Sequence, residues 1–138
     1  MQNKTIGSDT IGIISPWRLQ CNEIYKYLEQ DEKLKELLEE INLTENKKMN
    51  MKELILVDTV ERFQGSERDI IIYSTATNYK FFLDKLSNSK IIDNIDVDRK
   101  LNVAITRAKE QFILLGNKNF LNQNVIYKRL IELIERYN

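Results

Sequence analysis

The sequence contains no histidine and one cysteine, Cys21, so neither an internal disulfide nor a zinc site built from His and Cys ligands can form. Its 21 Lys and Arg residues balance its 21 Asp and Glu residues. The chain as a whole therefore has no field that attracts nucleic acid, and any such binding must be local. No run approaches the ~20 apolar residues of a membrane span, and the first ten residues lack the apolar core of a signal peptide. These absences predict a cytoplasmic protein without a metal site or a membrane segment.

The length and apolar content predict one compact domain. A chain of 138 residues with 42% hydrophobic residues can bury one sizeable core, so we expect residues 1–138 to form a single domain or part of one. Short apolar runs alternate with amphipathic stretches, which is typical of α/β domains. The runs at residues 11–15, 54–57 and 70–74 predict strands that are buried on both faces of a parallel sheet.

The remaining elements follow from breakers and apolar spacing. Pro16, the only proline, ends the first strand and suits the first turn of a helix whose inner face we predict to contain Leu19, Ile24 and Leu28. The apolar register then changes, which predicts a break at Gln30 and Asp31 before a second helix. Further along, the pattern predicts a polar loop at residues 44–52 and a partly mobile excursion at 78–96. A basic helix at 99–109, capped by Asp96 or Asp98, should follow, and then a strand at 112–115. A last helix, capped by Asn124, should run from residue 125 onward. The last helix should bury Ile126, Leu130, Leu133, Ile134 and Tyr137.

The polar segment at residues 57–69, which we call the elbow, joins two of the predicted strands. Gly65 allows a turn or a close approach of the backbone to a ligand. Gln64, Glu67 and Arg68 surround it with amide, carboxylate and guanidinium groups, and a carboxylate at the C-terminal end of a strand can accept hydrogen bonds from ribose. Taken alone, the segment fits an ordinary tight turn with surface charges better than it fits a nucleotide site.

Two other segments also allow two interpretations. Arg107 follows the apolar stripe of the basic helix, where a solvated arginine is the more common outcome, although an arginine aimed at a γ-phosphate can raise a rate by ~10³ to 10⁵. The segment from Ser15 to Arg18 is either a strand end with a packed aromatic residue or a nucleic-acid contact. In the second case Trp17 stacks on a base and the Ser15 hydroxyl touches a phosphate.

The order of these segments resembles helicase motifs IV, V and VI of superfamily one. Residues 11–20 resemble motif IV, the elbow resembles motif V and residues 99–109 resemble motif VI, in the branch that contains the up-frameshift RNA helicases and senataxin. The resemblance covers residues 10–117, most of the chain. It implies an α/β, three-layer, parallel-sheet RecA-like domain, the second lobe of an ATP-dependent helicase.

The resemblance also implies a nucleotide site. Glu67 matches the acidic residue of motif V that contacts the nucleotide sugar, with Gly65 and Gln64 beside it. Arg107 matches the arginine of motif VI that reaches the γ-phosphate of ATP bound to the first lobe, so we expect it to act as an arginine finger with Gln64 as the other catalytic residue. Some relatives carry an arginine close to the motif IV glutamine, here Gln20, as a second phosphate contact. Here Cys21 occupies the position directly after Gln20, and we expect Arg18 to substitute for that arginine.

A second set of residues implies contacts with single-stranded DNA or RNA. Ser15, Pro16 and Trp17 match the end of the motif IV strand near the nucleic acid. Asp58 and Thr59 match the part of motif V whose backbone and hydroxyl touch the phosphodiester chain. The resemblance therefore implies nucleotide contacts and nucleic-acid contacts within one lobe.

The first lobe of such a helicase has no counterpart in the sequence. No Gly-x-x-x-x-Gly-Lys-Ser/Thr segment is present to cradle phosphates, and no acidic pair at a strand end is present to hold magnesium. We therefore expect ATP with Mg²⁺ to bind mainly to an N-terminal RecA-like lobe of a longer parent protein, of which this chain is a C-terminal fragment that is inactive in isolation. A sheet incomplete at its N-terminal side should expose an edge that favours self-association.

Two further interpretations remain open. The chain can be a non-catalytic interaction module that retains a helicase fold and binds a protein partner or nucleic acid, which its neutral charge and missing phosphate loop favour. It can also be a nucleotide-binding domain of another RecA-like ATPase, although that does not explain Ser15, Pro16 and Trp17.

Overall fold

The computed structural model describes residues 6–63, 65–75, 89–92 and 95–137. Gln64 lies outside these ranges, as does most of the predicted excursion at residues 78–96. The described part of that excursion contains strands β4 (Ser89–Ile92) and β5 (Ile95–Asp98), which pair antiparallel to each other.

Four parallel strands form the central sheet, as the apolar runs predict. They are β1 (Ile11–Ser15), β2 (Ile55–Thr59), β3 (Arg68–Ser74) and β6 (Ala108–Leu115), in the spatial order β2-β1-β3-β6. Strand β1 is central, with Ile13 opposite both Val57 and Ile72. The prediction of an α/β domain with a parallel sheet is confirmed.

Three helices cover one face of the sheet: α1 (Arg18–Gln30), α2 (Glu32–Glu45) and α3 (Met51–Leu54). The predicted break is confirmed, since the Asp31 carboxylate caps α2 by accepting a 3.0 Å hydrogen bond from the amide of Leu34. Two details of the prediction are wrong. Leu19 is 81% exposed, because the face of α1 that packs on the sheet contains Cys21, Ile24 and Leu28. The polar loop is shorter than predicted, since α2 extends to Glu45 and α3 begins at Met51.

The opposite face carries α4 (Arg99–Thr106), α5 (Lys118–Leu121) and α6 (Val125–Tyr137). The predicted cap of α6 is confirmed, since the Asn124 side chain accepts hydrogen bonds from the amides of Ile126 and Tyr127. The predicted inner face of α6 is partly wrong. Leu133 and Tyr137 are exposed, because the helix is rotated so that Tyr127 and Ile131 are buried.

Helix α4 ends earlier than the predicted basic helix. Its last residue is Thr106, and strand β6 begins at Ala108, so Arg107 lies in the turn between them. Lys109, which we assigned to the helix, lies in β6. The prediction that this helix has an apolar inner face is confirmed at Leu101, which is buried in the core between the helix and the sheet.

The elbow crosses the sheet on the α4 face. Because β2 and β3 are parallel and β1 lies between them, residues 60–67 must pass from the carboxyl end of β2 to the amino end of β3 over β1. Val60 and Phe63 are buried along this path. A Cβ atom at Gly12 of β1 would lie 2.6 Å from Cζ of Phe63 and 2.9 Å from Cγ of Arg68. The absence of a side chain at Gly12 therefore lets the elbow lie against the strand.

Among the described helices, none has the length and apolarity that a bilayer span requires. The described residues likewise bring together no group of three or more acidic, cysteine or histidine side chains able to hold a metal ion.

Candidate functional site

The predicted site residues fall at two opposite edges of the sheet. Glu67 directly precedes β3 and Arg107 directly precedes β6, so both lie at the amino edge. Ser15 ends β1 and Thr59 ends β2, so both lie at the carboxyl edge. The prediction that Glu67 follows the C-terminal end of a strand is wrong, because parallel pairing returns the chain to the amino edge before β3 begins.

Arg107 and the elbow meet at the amino edge. The backbone amide of Arg68 donates a 2.9 Å hydrogen bond to the carbonyl of Arg107. The pairing of β3 with β6 starts at Arg68 and Ala108, and its register shifts before Ile70, so a bulge accompanies this contact. The structure therefore places Arg107 beside Glu67 and away from the far edge of the sheet.

Gly65 has the backbone conformation that the sequence suggested. Its φ is +79°, which is strained for a residue with a side chain, and no atom lies within 4 Å of the position that a Cβ would take. The turn at Gly65 is exposed, as is Glu67 beside it. This part of the amino edge is therefore accessible to a ligand.

Two guanidinium groups line the same edge. Nη1 of Arg68 donates a 2.7 Å hydrogen bond to the carbonyl of Glu67, and the group lies 5.9 Å from the ring centroid of Phe63. Arg107 is half-buried, and its Nη2 lies 3.4 Å from Oγ1 of Thr106. In both arginines Nε is buried without a hydrogen-bond partner among the described residues. A guanidinium group matches the oxygens of a phosphate in charge and geometry, so both side chains are of a type suited to a nucleotide.

At the carboxyl edge, hydrogen bonds connect the ends of β1 and β3. The Ser15 hydroxyl donates to Oε1 of Gln20 and lies 3.3 Å from the amide of Trp17, which donates to it. Nε2 of Gln20 donates a 2.9 Å hydrogen bond to the hydroxyl of Ser74. Ser15 and Pro16 are buried, whereas Trp17 is half-buried and packs beside the α4-face core.

The end of β2 completes this edge. The Asp58 carboxylate accepts a 2.8 Å hydrogen bond from the amide of Thr59. The Arg18 guanidinium lies 3.8 Å from the same carboxylate, with side chains 50% and 26% exposed respectively. The structure thus groups Arg18 with Asp58 and does not bring it to Glu67 and Arg107.

Three residues of this arrangement were not assigned to a site from the sequence. Gln20 is the third residue of α1, and Ser74 is the polar last residue of a strand that is otherwise apolar from Ile70 onward. That pattern marks Ser74 as a residue at the edge of the sheet. Arg68 was noted only as part of the elbow, and its contact with Arg107 depends on the pairing of β3 with β6, which no local pattern gives.

Comparison with known proteins provides independent information. A family model described as an AAA domain matches residues 1–119. An uncharacterized ATP-dependent helicase of Methanocaldococcus jannaschii is 36% identical over 117 residues, which cover 84% of this chain and 14% of that protein. The mouse RNA helicase Mov10l1 is 34% identical over 134 residues, covering 92% of this chain and 9% of its own length. The DNA polymerase alpha-associated DNA helicase A of Saccharomyces cerevisiae is 29% identical over 124 residues, which cover 89% of this chain and 14% of that protein. The chain thus spans a small part of these relatives.

Proposed function

Because the chain belongs to the AAA domain family and is the RecA-like C-terminal domain of a superfamily one helicase, we propose that it is the second motor lobe of an ATP-dependent helicase or translocase. In this proposal an N-terminal lobe of the same parent protein binds ATP with Mg²⁺. ATP closes the cleft between the lobes, and hydrolysis reopens it. The closing motion moves the two lobes relative to a single nucleic-acid strand.

The amino edge is the proposed nucleotide side of the lobe. Arg107 supplies the arginine finger for the γ-phosphate, while Glu67 and Gly65 contact the sugar; Gln64, the other proposed catalytic residue, directly precedes Gly65 in the sequence. The observation that supports this most strongly is the 2.9 Å hydrogen bond from Arg68 to Arg107, since it keeps the elbow and the proposed finger together.

The carboxyl edge is the proposed nucleic-acid side. Trp17 is partly exposed, so its ring can contact a base. Asp58 and Thr59, the last two residues of β2, lie at the same edge. Arg18, which the sequence suggested as a nucleotide contact, lies at this edge beside Asp58. We therefore propose that its guanidinium group binds the phosphodiester chain. Since the relatives include a DNA helicase and an RNA helicase, both strands belong in the test.

The direct test measures ATP hydrolysis by the full-length parent protein with single-stranded DNA, with RNA and with neither. Arg107→Ala should lower the stimulated rate by ~10³-fold or more, because the transition-state charge loses its cation. Lys109→Ala is the matched control, since this exposed cation lies two residues away in β6 and should leave the rate unchanged. The isolated chain should show only background hydrolysis.

Two results would contradict the proposal. Unchanged turnover in Arg107→Ala would remove the finger assignment. A full-length protein that hydrolyses no ATP with either strand would favour the alternative of a non-catalytic interaction module.

A further inference from the structure

The hydrogen bonds at the carboxyl edge determine which hydroxyl group has a proton to offer a ligand. Ser15 is fully buried, at 0% exposure, and its oxygen already accepts a hydrogen bond from the amide of Trp17. A buried hydroxyl proton needs an acceptor, and Oε1 of Gln20 is the acceptor that Ser15 contacts. The Ser15 proton is therefore donated to Gln20 within the protein and cannot be donated to a ligand.

The hydrogen bond from Ser15 also fixes the orientation of the Gln20 amide. With Oε1 facing Ser15, Nε2 faces Ser74 and donates the 2.9 Å hydrogen bond to its hydroxyl oxygen. In the flipped amide, Nε2 and the Trp17 amide would both donate to Ser15, and the buried Ser15 proton would have no acceptor there. The orientation that satisfies Ser15 leaves Ser74 as an acceptor from Gln20, and among the residues that the structure describes the Ser74 proton has no acceptor.

Ser74 is placed where such a proton can reach a ligand. It is half-buried and is the last residue of β3, beside the end of the central strand β1. Gln20 connects it to Ser15, which directly precedes Pro16 and Trp17. The Ser74 hydroxyl thus lies at the same edge as the proposed nucleic-acid contacts, and its orientation is set by an internal chain of hydrogen bonds.

We propose that Ser74 is a nucleic-acid contact that donates its hydroxyl proton to a phosphodiester oxygen of the bound single strand. Gln20 is the positioning residue for Ser74, and Ser15 acts through Gln20 without touching the strand. This inference rests on the proposed function of the carboxyl edge and deepens it, since it replaces the direct Ser15 contact with Ser74.

The test is binding of a fluorescein-labelled oligo(dT) or oligo(U) strand to the chain, measured by anisotropy over a range of salt concentrations. Ser74→Ala should weaken binding by about tenfold, since a hydrogen bond to a charged group is lost. The slope of affinity against salt should not change, because a neutral hydroxyl releases no counterion. Ser74→Thr, which keeps a hydroxyl, should recover most of the affinity. Thr44→Ala, an exposed hydroxyl on α2, is the matched control and should bind as the wild type does.

Gln20→Met tests the positioning role. It removes both hydrogen bonds of the amide at similar size, so it should reproduce most of the loss seen in Ser74→Ala. The double variant should lose little more than either single variant, because both act on one contact. Additive losses would show that Gln20 acts separately and would remove its positioning role. The Ser74→Ala measurement stands even where Gln20→Met does not fold.

The outcomes separate this inference from the proposed function. If the wild type binds and Ser74→Ala binds equally well, the Ser74 assignment is overturned while the carboxyl-edge site stands. If Ser74→Ala changes the salt slope, the loss is not that of a neutral contact and the assignment is also overturned. If the wild type binds neither strand, the proposed nucleic-acid side fails and this inference fails with it.

Discussion

The backbone amide of Arg68 donates a hydrogen bond to the carbonyl of Arg107 over 2.9 Å. This contact joins residues that are 39 positions apart, since 107 − 68 = 39. It also starts the pairing of β3 with β6. Because a backbone carbonyl makes the contact, the side chain of Arg107 can be changed without removing it.

Arg107→Ala should therefore fold like the wild type. Among the described residues its guanidinium makes one hydrogen bond, at 3.4 Å to Oγ1 of Thr106, and the buried Nε has no partner to lose. We expect the free energy of unfolding to change by less than about 1 kcal/mol, measured by urea denaturation. A much larger loss would mean that the arginine has a structural role, and a fall in ATP hydrolysis could then not be assigned to the finger.

Gly12→Ala should destabilise the domain by about 1 to 3 kcal/mol, because the added Cβ overlaps Cζ of Phe63 at 2.6 Å and Cγ of Arg68 at 2.9 Å. Urea denaturation measures the change. Gly7→Ala is the control, since a Cβ there meets Oδ1 of Asp9 at an ordinary 3.6 Å.

A double variant makes the Gly12 prediction specific. Phe63→Leu shortens the side chain with which the Cβ of Gly12→Ala would clash. The double variant should therefore lose less free energy of unfolding than the sum of the losses in the two single variants. Strict additivity would contradict the contact between the elbow and β1.

Tyr25→Phe should lower the free energy of unfolding by about 1 to 3 kcal/mol at neutral pH. The Tyr25 hydroxyl accepts a 3.0 Å hydrogen bond from the amide of Val57 in β2, and Val57 is buried, so the change leaves a buried donor without its acceptor. Thermal and urea unfolding both measure the loss. Tyr27→Phe, in the same helix but exposed, should have no effect.

Alkaline pH provides a second measurement at Tyr25. Burial raises the pKa of Tyr25 above its ordinary value of about 10, and the hydrogen bond from Val57 opposes this only partly. The folded state thus favours the neutral phenol, whose contribution to stability is complete below about pH 10. That contribution is lost as the pH rises through the higher pKa of the folded state. The wild type should therefore lose more stability than Tyr25→Phe above pH 10, and parallel curves would contradict this.

Cys21 should resist alkylation in the native protein. The residue is 4% exposed, and burial raises the pKa of its thiol, with the Asp58 carboxylate adding to the shift. Both effects lower the concentration of accessible thiolate near pH 8. Mass spectrometry after iodoacetamide treatment should find one modified cysteine in denaturant and almost none without it. Rapid labelling of the folded chain would contradict the packing of α1 on the sheet.

Trp17 is the only tryptophan of the chain, so its fluorescence reports on one site. If bases stack on it at the carboxyl edge, a single strand should quench this emission. Trp17→Ala should weaken binding by about 1 to 3 kcal/mol. Trp17→Phe, which keeps an aromatic ring, should retain more of the affinity. Binding of a single strand without any change in emission would place the nucleic acid elsewhere.

Local patterns were enough to predict where strands β1, β2 and β3 lie and where α1 ends, but they did not predict strands β4 and β5. Apolar runs at 11–15 and 70–74 became strands β1 and β3, because a segment buried on both faces needs continuous apolar residues. Asn124 caps the last helix as predicted, because a cap involves only neighbouring residues, and the predicted break at Gln30 and Asp31 separates α1 from α2. The order of the three motifs also identified the family, which the comparisons confirm.

Only the tertiary structure decided which of these residues meet. No local pattern gives the strand order β2-β1-β3-β6. The parallel direction of these strands places Glu67 and Arg107 at one edge and Ser15 and Asp58 at the other. The same long-range packing left Leu19 exposed, although its apolar character suggested burial. It also brought Ser74 of β3 to Gln20 of α1, where, within the described part of the chain, the Ser74 proton has no acceptor. Such contacts depend on parallel pairing between segments that are far apart in the chain, so the sequence determined the residue chemistry while the fold determined its geometry.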